Sequence, residues 1–227
     1  MQLFGFLSGA KPPLITRSLA GLADMIDTAG RMYAAATATL LDNEALAVDL
    51  AAEDETINEH ERQIRRAVLE HVTLSPRDEL SLSLVLISIV QDAERCGDLA
   101  KSIAKVADLA DRPRMGGHVE ALRPVRDRVQ SAFPRVRAAF LTGDVEAART
   151  VMEEHDQTKL DVTAYLQRLA AAPDLSSNLA VVLASAGRMV GRTSAHLSNI
   201  ISGVALPFDQ IRRSPTWGDG APTPTES

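Results

Sequence analysis

The sequence predicts an all-α fold: two tandem three-helix repeats packed as an elongated helical bundle. Three observations predict it. The chain of 227 residues is 45% hydrophobic but only 4% aromatic, a mixture suited to helices packed through aliphatic seams. Apolar residues recur at spacings of three and four over long runs, the period of an amphipathic helix. The pattern of the first half returns in the second.

The first helix begins after Pro12-Pro13. Ile15, Leu19, Leu22, Ile26, Ala29, Tyr33, Ala36 and Leu40 alternate spacings of four and three. Asp42-Asn43 breaks this seam, and either residue can cap the next helix. The second helix carries Leu46, Leu50, Ile57, Ile64 and Val68 on one face. The third is expected to open at Ser75-Pro76-Arg77-Asp78, with a capping serine, proline at the first helical position and an acid at the third. Leu82, Leu86, Ile89, Ala93, Cys96, Ala100, Ile103 and Ala107 form its main stripe. Leu80, Leu84 and Ile87 make its opposite side apolar too, as in the central member of a bundle.

Asp111 to Gly117 is rich in turn residues and ends the first half. A fourth helix is expected from about His118 to Leu141, started or kinked by Pro124 and Pro134. A fifth starts at Gly143-Asp144, with Asp144 as cap, and a sixth at Ala172-Pro173-Asp174, ending near Leu206-Pro207. Pro76 aligns with Pro173, Leu82 with Leu179, Leu86 with Leu183 and Ile103 with Ile200, all at one offset of 97. The organisation is an N-terminal segment (1–11), repeat one (12–111), repeat two (112–206) and a disordered tail (207–227) rich in Pro, Ser, Thr and Gly.

Composition excludes several classes of function. A net charge of −6 gives no global field for nucleic acid. The single cysteine, Cys96, excludes an internal disulfide framework and a cysteine-rich zinc site, and fits a reducing compartment. No run of 18 apolar residues exists to span a membrane. The N-terminus has no basic residue ahead of its apolar part, so it is a poor signal peptide. Its Leu3-Phe4-Gly5-Phe6-Leu7 can dock on the bundle or on a membrane surface, so membrane association is peripheral at most. No phosphate-binding loop, nucleophile elbow or zinc-protease motif occurs, and no histidine stands in a Glu-x-x-His motif, so the chain is read as no enzyme.

Chemistry concentrates in Asp92-Ala93-Glu94-Arg95-Cys96-Gly97-Asp98. Glu94 and Asp98 are four residues apart, so both carboxylates leave one helix face and repel unless exposed, protonated or neutralised. Gly97 lowers helix propensity with no local gain. Asp92 is read as solvent-facing and Cys96 as a small core residue. Upstream, Asp54 and Glu61 border the apolar seam of the second helix, and partly buried acids need partners. Spacing alone favours a solvated acidic face paired with Arg95 or Lys101; the alternative is ligation of a hard cation by carboxylate oxygens. Seven arginines between Arg112 and Arg137 make the fourth helix locally basic. They read as a solvated face, or alternatively as a surface for an acidic partner.

These motifs resemble the PhoU family of phosphate-uptake regulators, built from two three-helix repeats. The family carries an acid-x-x-Ile/Val-Asn/Asp pattern in the middle helix and a Leu-Glu-Arg-Ile-Gly-Asp-like pattern in the third. Here the first repeat has Asp54-x-x-Ile57-Asn58, then Glu61 and Ile64, then Pro76, then Glu94-Arg95-Cys96-Gly97-Asp98 and Ile103. The match runs over about residues 12 to 206. The second repeat departs from it: at the offset of 97 the acidic motif becomes Gly191-Arg192-Thr193-Ser194-Ala195. Its middle-helix counterpart is read as Gln157-x-x-Leu160-Asp161.

The resemblance implies a cytoplasmic negative regulator of phosphate uptake and phosphate-starvation signalling, acting by contact. Its implied partners are a phosphate ABC-transporter ATPase and a membrane sensor histidine kinase, with a homodimer as the assembly and no nucleic acid. It implies a metal site of Mg, Mn, Fe or Zn on Asp54, Asn58, Glu61, Glu94 and Asp98. Asp161 is carried over in repeat two without the third-helix acids it would need. The other readings are an adaptor for another phosphate transporter, or a dimerising bundle without metal dependence.

Overall fold

The computed structural model describes residues 12–212, and these contain helices and no strand. The helices are α1 (Pro13–Asp42), α2 (Leu50–Leu74), α3 (Leu80–Ala107), the single turn α4 (Gly117–Glu120), α5 (Arg123–Thr142), α6 (Val145–Ala170) and α7 (Ser177–Ala205). The all-α expectation holds. α1, α2 and α3 pack on one another, as do α5, α6 and α7; α1 with α5 and α3 with α7 join the halves. The N-terminal apolar segment lies outside the described residues.

All eight seam residues predicted for α1, and all eight of the main stripe predicted for α3, are buried. Each buried leucine or isoleucine among them contributes about 1.5–3 kcal/mol on transfer from water, and the alanines less, so these two stripes hold the bundle's centre. The second apolar side of α3 differs from expectation: Leu80 and Leu84 are exposed and Ile87 is half-buried, while Leu82, Val85 and Leu86 of the same turns are buried, so that side of the helix faces solvent. Leu46 is also exposed and precedes α2.

Three helix starts are shifted from the sequence reading. Asn43 ends α1 in a left-handed conformation, and its side chain bonds both the N–H and the carbonyl of Arg114, pinning the inter-repeat connection. Asp49 is the cap of α2, accepting from the Ala51 and Ala52 amides. Ser75 closes α2 through its amide to His71, and α3 starts only at Leu80, after Glu79 at φ 50°. The Ser75-Pro76 signature marks a turn here because α2 runs on to Leu74. Likewise α7 is capped by Ser176 instead of starting at Pro173. Asp144 caps α6 as expected.

The arginines of α5 are not a free solvated face, because acids of the neighbouring helices meet them. Arg126 pairs with Asp42 at 2.9 Å, Arg128 with Asp161 at 2.6 Å and Arg137 with Asp27 at 2.6 Å. Arg123 also reaches Asp42, and Arg135 reaches Glu154. Acids on α1 and α6 therefore neutralise α5, and the pairs clip it between those helices. One-dimensional counting showed the cations without the acids that fold onto them.

The 207–227 region also begins differently from expectation. Phe208–Gln210 forms a 3-10 turn, and the Arg212 amide donates to Ser202 Oγ at 3.0 Å. The remainder of that region lies outside the described residues.

Candidate functional site

The acids predicted for repeat one do meet, where α2 crosses α3. Asp54 and Asn58 stand one turn apart on α2, Asn58 Nδ2 donating to Asp54 Oδ2 at 3.3 Å. Glu94 and Asp98 stand one turn apart on α3. Gly97 lets the helices approach, since a Cβ there would lie 2.8 Å from Ile57 Cδ1. The missing side chain is the local gain that the sequence did not reveal.

Lys101 sits at the centre of this cluster. Its Nζ lies 2.7 Å from Asp54 Oδ2 and 2.9 Å from Asp98 Oδ1. Arg95 lies 3.1 Å from Asp98 and 3.6 Å from Glu94. Glu61 is engaged by Arg65 at 2.7 Å, though its charge still reaches Glu94.

The two α3 carboxyls are driven apart in proton affinity. Burial, then the Asp98 charge and the hydrogen bond the two share, pushes Glu94 up to about 7. Burial also works against ionised Asp98, but hydrogen bonds from Lys101 and Glu94 and the charge of Arg95 outweigh it and hold Asp98 below its ordinary value. Near neutrality the proton therefore resides on Glu94 for part of the time, while Asp98 stays anionic for Lys101.

The donor chemistry of Asp54, Glu94 and Asp98 suits a hard cation. Asp54 Oδ1 is buried and, among the described residues, has no hydrogen-bond partner. Yet no three Asp, Glu, His or Cys side chains among the described residues converge as a metal-holding group. The Lys101 ammonium stands between Asp54 and Asp98, where it supplies the neutralising charge.

Repeat two has no such cluster. The buried α2 positions Ile57, Ile64 and Val68 recur on α6 as Thr158, Tyr165 and Leu169, each 101 residues on. The alignment through Leu160 and Asp161 is thereby corrected: Leu160 is 64% exposed where Ile57 is fully buried. Asp161 faces α5 and pairs with Arg128, away from Gly191 and Ala195. On the packed register, Asp54, Asn58 and Glu61 become His155, Lys159 and Val162. His155 is buried, with Nδ1 3.0 Å from Ser194 Oγ, and burial lowers its proton affinity.

Asp92 is the largest departure from the sequence reading. It is fully buried between α3 and α7, not solvent-facing. Its Oδ1 accepts from Asn199 Nδ2 at 2.8 Å and lies 2.8 Å from His196 Nδ1; Arg212 Nε approaches Oδ2 at 3.3 Å. Position 92 lies three residues after Ile89 and four before Cys96, on the buried stripe. That spacing was the available signal.

Residues 22–107 match the family model of the PhoU domain. The matched stretch lies within the first repeat. It contains α2, α3 and most of α1, and with them every acid of the cluster around Lys101. Two crystal structures share the fold of the whole bundle. PhoU from Pseudomonas aeruginosa superposes with a TM-score of 0.77 at 22% identity, covering 84% of this chain and 95% of its own. The phosphate transport system regulatory protein PhoU from Streptococcus pneumoniae gives 0.71 at 18% identity, covering 84% and 91%. At these identities the likeness establishes the fold. No curated protein matches the chain.

Proposed function

We propose that this chain is a negative regulator of phosphate uptake and phosphate-starvation signalling that acts by protein contact. The observation that carries the reading is the match to the PhoU domain at residues 22–107, within a bundle sharing its fold with a phosphate transport system regulatory protein. Its partners in this reading are the ATPase of a phosphate ABC transporter and a membrane sensor histidine kinase. Its setting is the cytoplasm and its assembly a homodimer. Among the described residues no helix is long and apolar enough to cross a membrane, so contact with membrane partners would be peripheral.

Metal has a conditional place in this reading. Asp54, Glu94 and Asp98 would hold a hard divalent or ferric ion only after Lys101 withdraws, and the ion would supply the charge compensation that the ammonium now supplies. The position of Lys101 supports a regulator whose fold does not depend on metal.

Capture of the full chain from phosphate-replete and phosphate-starved cells tests the contact reading. The expected result is recovery of a phosphate-transporter ATPase and a histidine kinase, with occupancy changing between the two conditions. Recovery of neither in either condition would overturn it. Recovery of a different phosphate transporter alone would establish the adaptor role instead.

A further inference from the structure

The repeat-two counterpart of the acidic cluster has inverted its charge. Where repeat one places Asp54, Asn58, Glu94 and Asp98, repeat two places His155, Lys159, Gly191 and Ala195. Arg95 has its counterpart in Arg192, but the acids that neutralise Arg95 have none. Between α6 and α7 this leaves a cavity of about 290 Å³ whose lining contains Lys159, Arg188 and Arg192 and no carboxylate. Its floor is apolar, formed by Val162 and Leu166 beneath Gly191. A second cavity of about 340 Å³ adjoins it at Arg192 and extends over α3 to Lys105. Its one carboxylate, Asp98, is already bound by Lys101 and Arg95.

The charges along this groove are not equally committed. Lys159 pairs with Asp156 at 2.7 Å. Arg188, Arg192 and Lys105 have no hydrogen bond or ion pair to any described residue. The arginines of α5 make the contrast, since there a facing acid meets each of five. Arg188 and Arg192 are also one helical turn apart, an arrangement of like charges that costs a helix a few tenths of a kcal/mol. Three uncommitted cations gathered along one groove, in a chain of net charge −6, make a local field of sign opposite to that of the whole molecule.

We propose that this groove binds a small phosphorylated organic molecule, its anionic groups on Arg188, Arg192 and Lys105 and its apolar part on the Val162–Leu166 floor. Guanidinium forks match phosphate oxygens in bidentate geometry, and several of them favour a ligand with more than one charge. The volume lies at the small end of the range for small-molecule sites, about 300–1,000 Å³. The apolar floor separates an organic anion from a bare oxyanion.

Calorimetric titration of the full chain tests this with ATP, AMP, pyrophosphate and orthophosphate as probes, at low and at physiological salt. A nucleotide is expected to bind more tightly than either inorganic anion. Arg188→Gln/Arg192→Gln should weaken it at least about tenfold, and Gly191→Leu, which fills the floor, should weaken it with the charges intact. The control is Arg62→Gln/Arg149→Gln, which removes the same charge from exposed pairs elsewhere, with helicity checked for every variant. Equal loss in the control would reduce the effect to overall charge and overturn the proposal, as would normal binding by the Arg188/Arg192 variant or no binding by any probe. Inorganic phosphates binding as tightly as nucleotides, with Gly191→Leu unaffected, would overturn its organic part.

Discussion

A Cβ at Gly97 would stand 2.8 Å from Ile57 Cδ1, so the crossing of α2 over α3 is set by the absence of one side chain. Ile57 is fully buried, which limits how far its terminal methyl can move. Gly97→Ala gains about 1 kcal/mol of helix propensity and meets this contact. We expect a net loss of about 1 kcal/mol. Ile57→Val removes the clashing methyl, so the double variant should be more stable than the sum of the two single losses predicts. Denaturant melts of all four proteins give the coupling; strict additivity would mean that α2 simply shifts aside.

The proton on Glu94 gives stability a pH dependence of definite sign. The fold raises Glu94 to about 7 from an ordinary value of 4.5. A protonated Glu94 thus contributes most in acid, below about 4.5, and that contribution is lost as pH rises through about 7. Glu94→Gln should match the parent in acid and exceed it in mild base by about 1 kcal/mol, after allowance for solvent screening. Asp98 has the opposite sign: its contribution is present above its ordinary value and lost as pH falls through its depressed one. Urea melts on both sides of neutrality distinguish the two. A parent and variant with parallel pH profiles would contradict the assignment.

Lys101 bridges Asp54 and Asp98, so removing its charge exposes three acids to one another. Lys101→Met should lower stability by about 1–2 kcal/mol in a chelator. Manganese or magnesium should then raise the melting temperature of the variant more than that of the parent. Equal metal responses would show that the ammonium does not occupy the cation position.

Asp92 holds the turn at Arg212 as well as the interface of α3 with α7. Asp92→Asn weakens the bond to Asn199 and removes the charge that His196 and Arg212 approach. We expect a cost of about 2 kcal/mol and faster amide exchange over residues 202–212. Arg212→Ala should loosen the same segment with a smaller global loss, because the Arg212 side chain is about half exposed whereas Asp92 is fully buried. Unchanged exchange in both variants would mean that Ser202 alone anchors the turn.

The α5 ion pairs make one further test. Arg126→Glu/Arg137→Glu sets glutamates against Asp42 and Asp27. The expected outcome is a loss of global stability of about 2 kcal/mol or more, seen as a lower denaturant midpoint. A variant that folds with parental stability would return α5 to the role of a solvated face.

The sequence by itself determined what periodicity can carry. Period-3.6 stripes named the buried faces of α1 and α3, and the offset of 97 between Leu86 and Leu183 announced the repeat. The spacing of Glu94 and Asp98, with Asp54 upstream, located the acidic cluster. These signals are local, because a helix relates residues three and four apart whatever it packs against. Tertiary structure decided which groups neutralise which. Lys101 enters the acidic cluster, the α5 arginines find acids on α1 and α6, and Asp92 finds His196 and Asn199 more than 100 residues away. It also decided that α6 follows the register of Thr158 and Tyr165, because burial selects a helix face and a matching acid does not. Ion pairing and close approach depend on distances across helices, and the one-dimensional pattern holds no record of those distances.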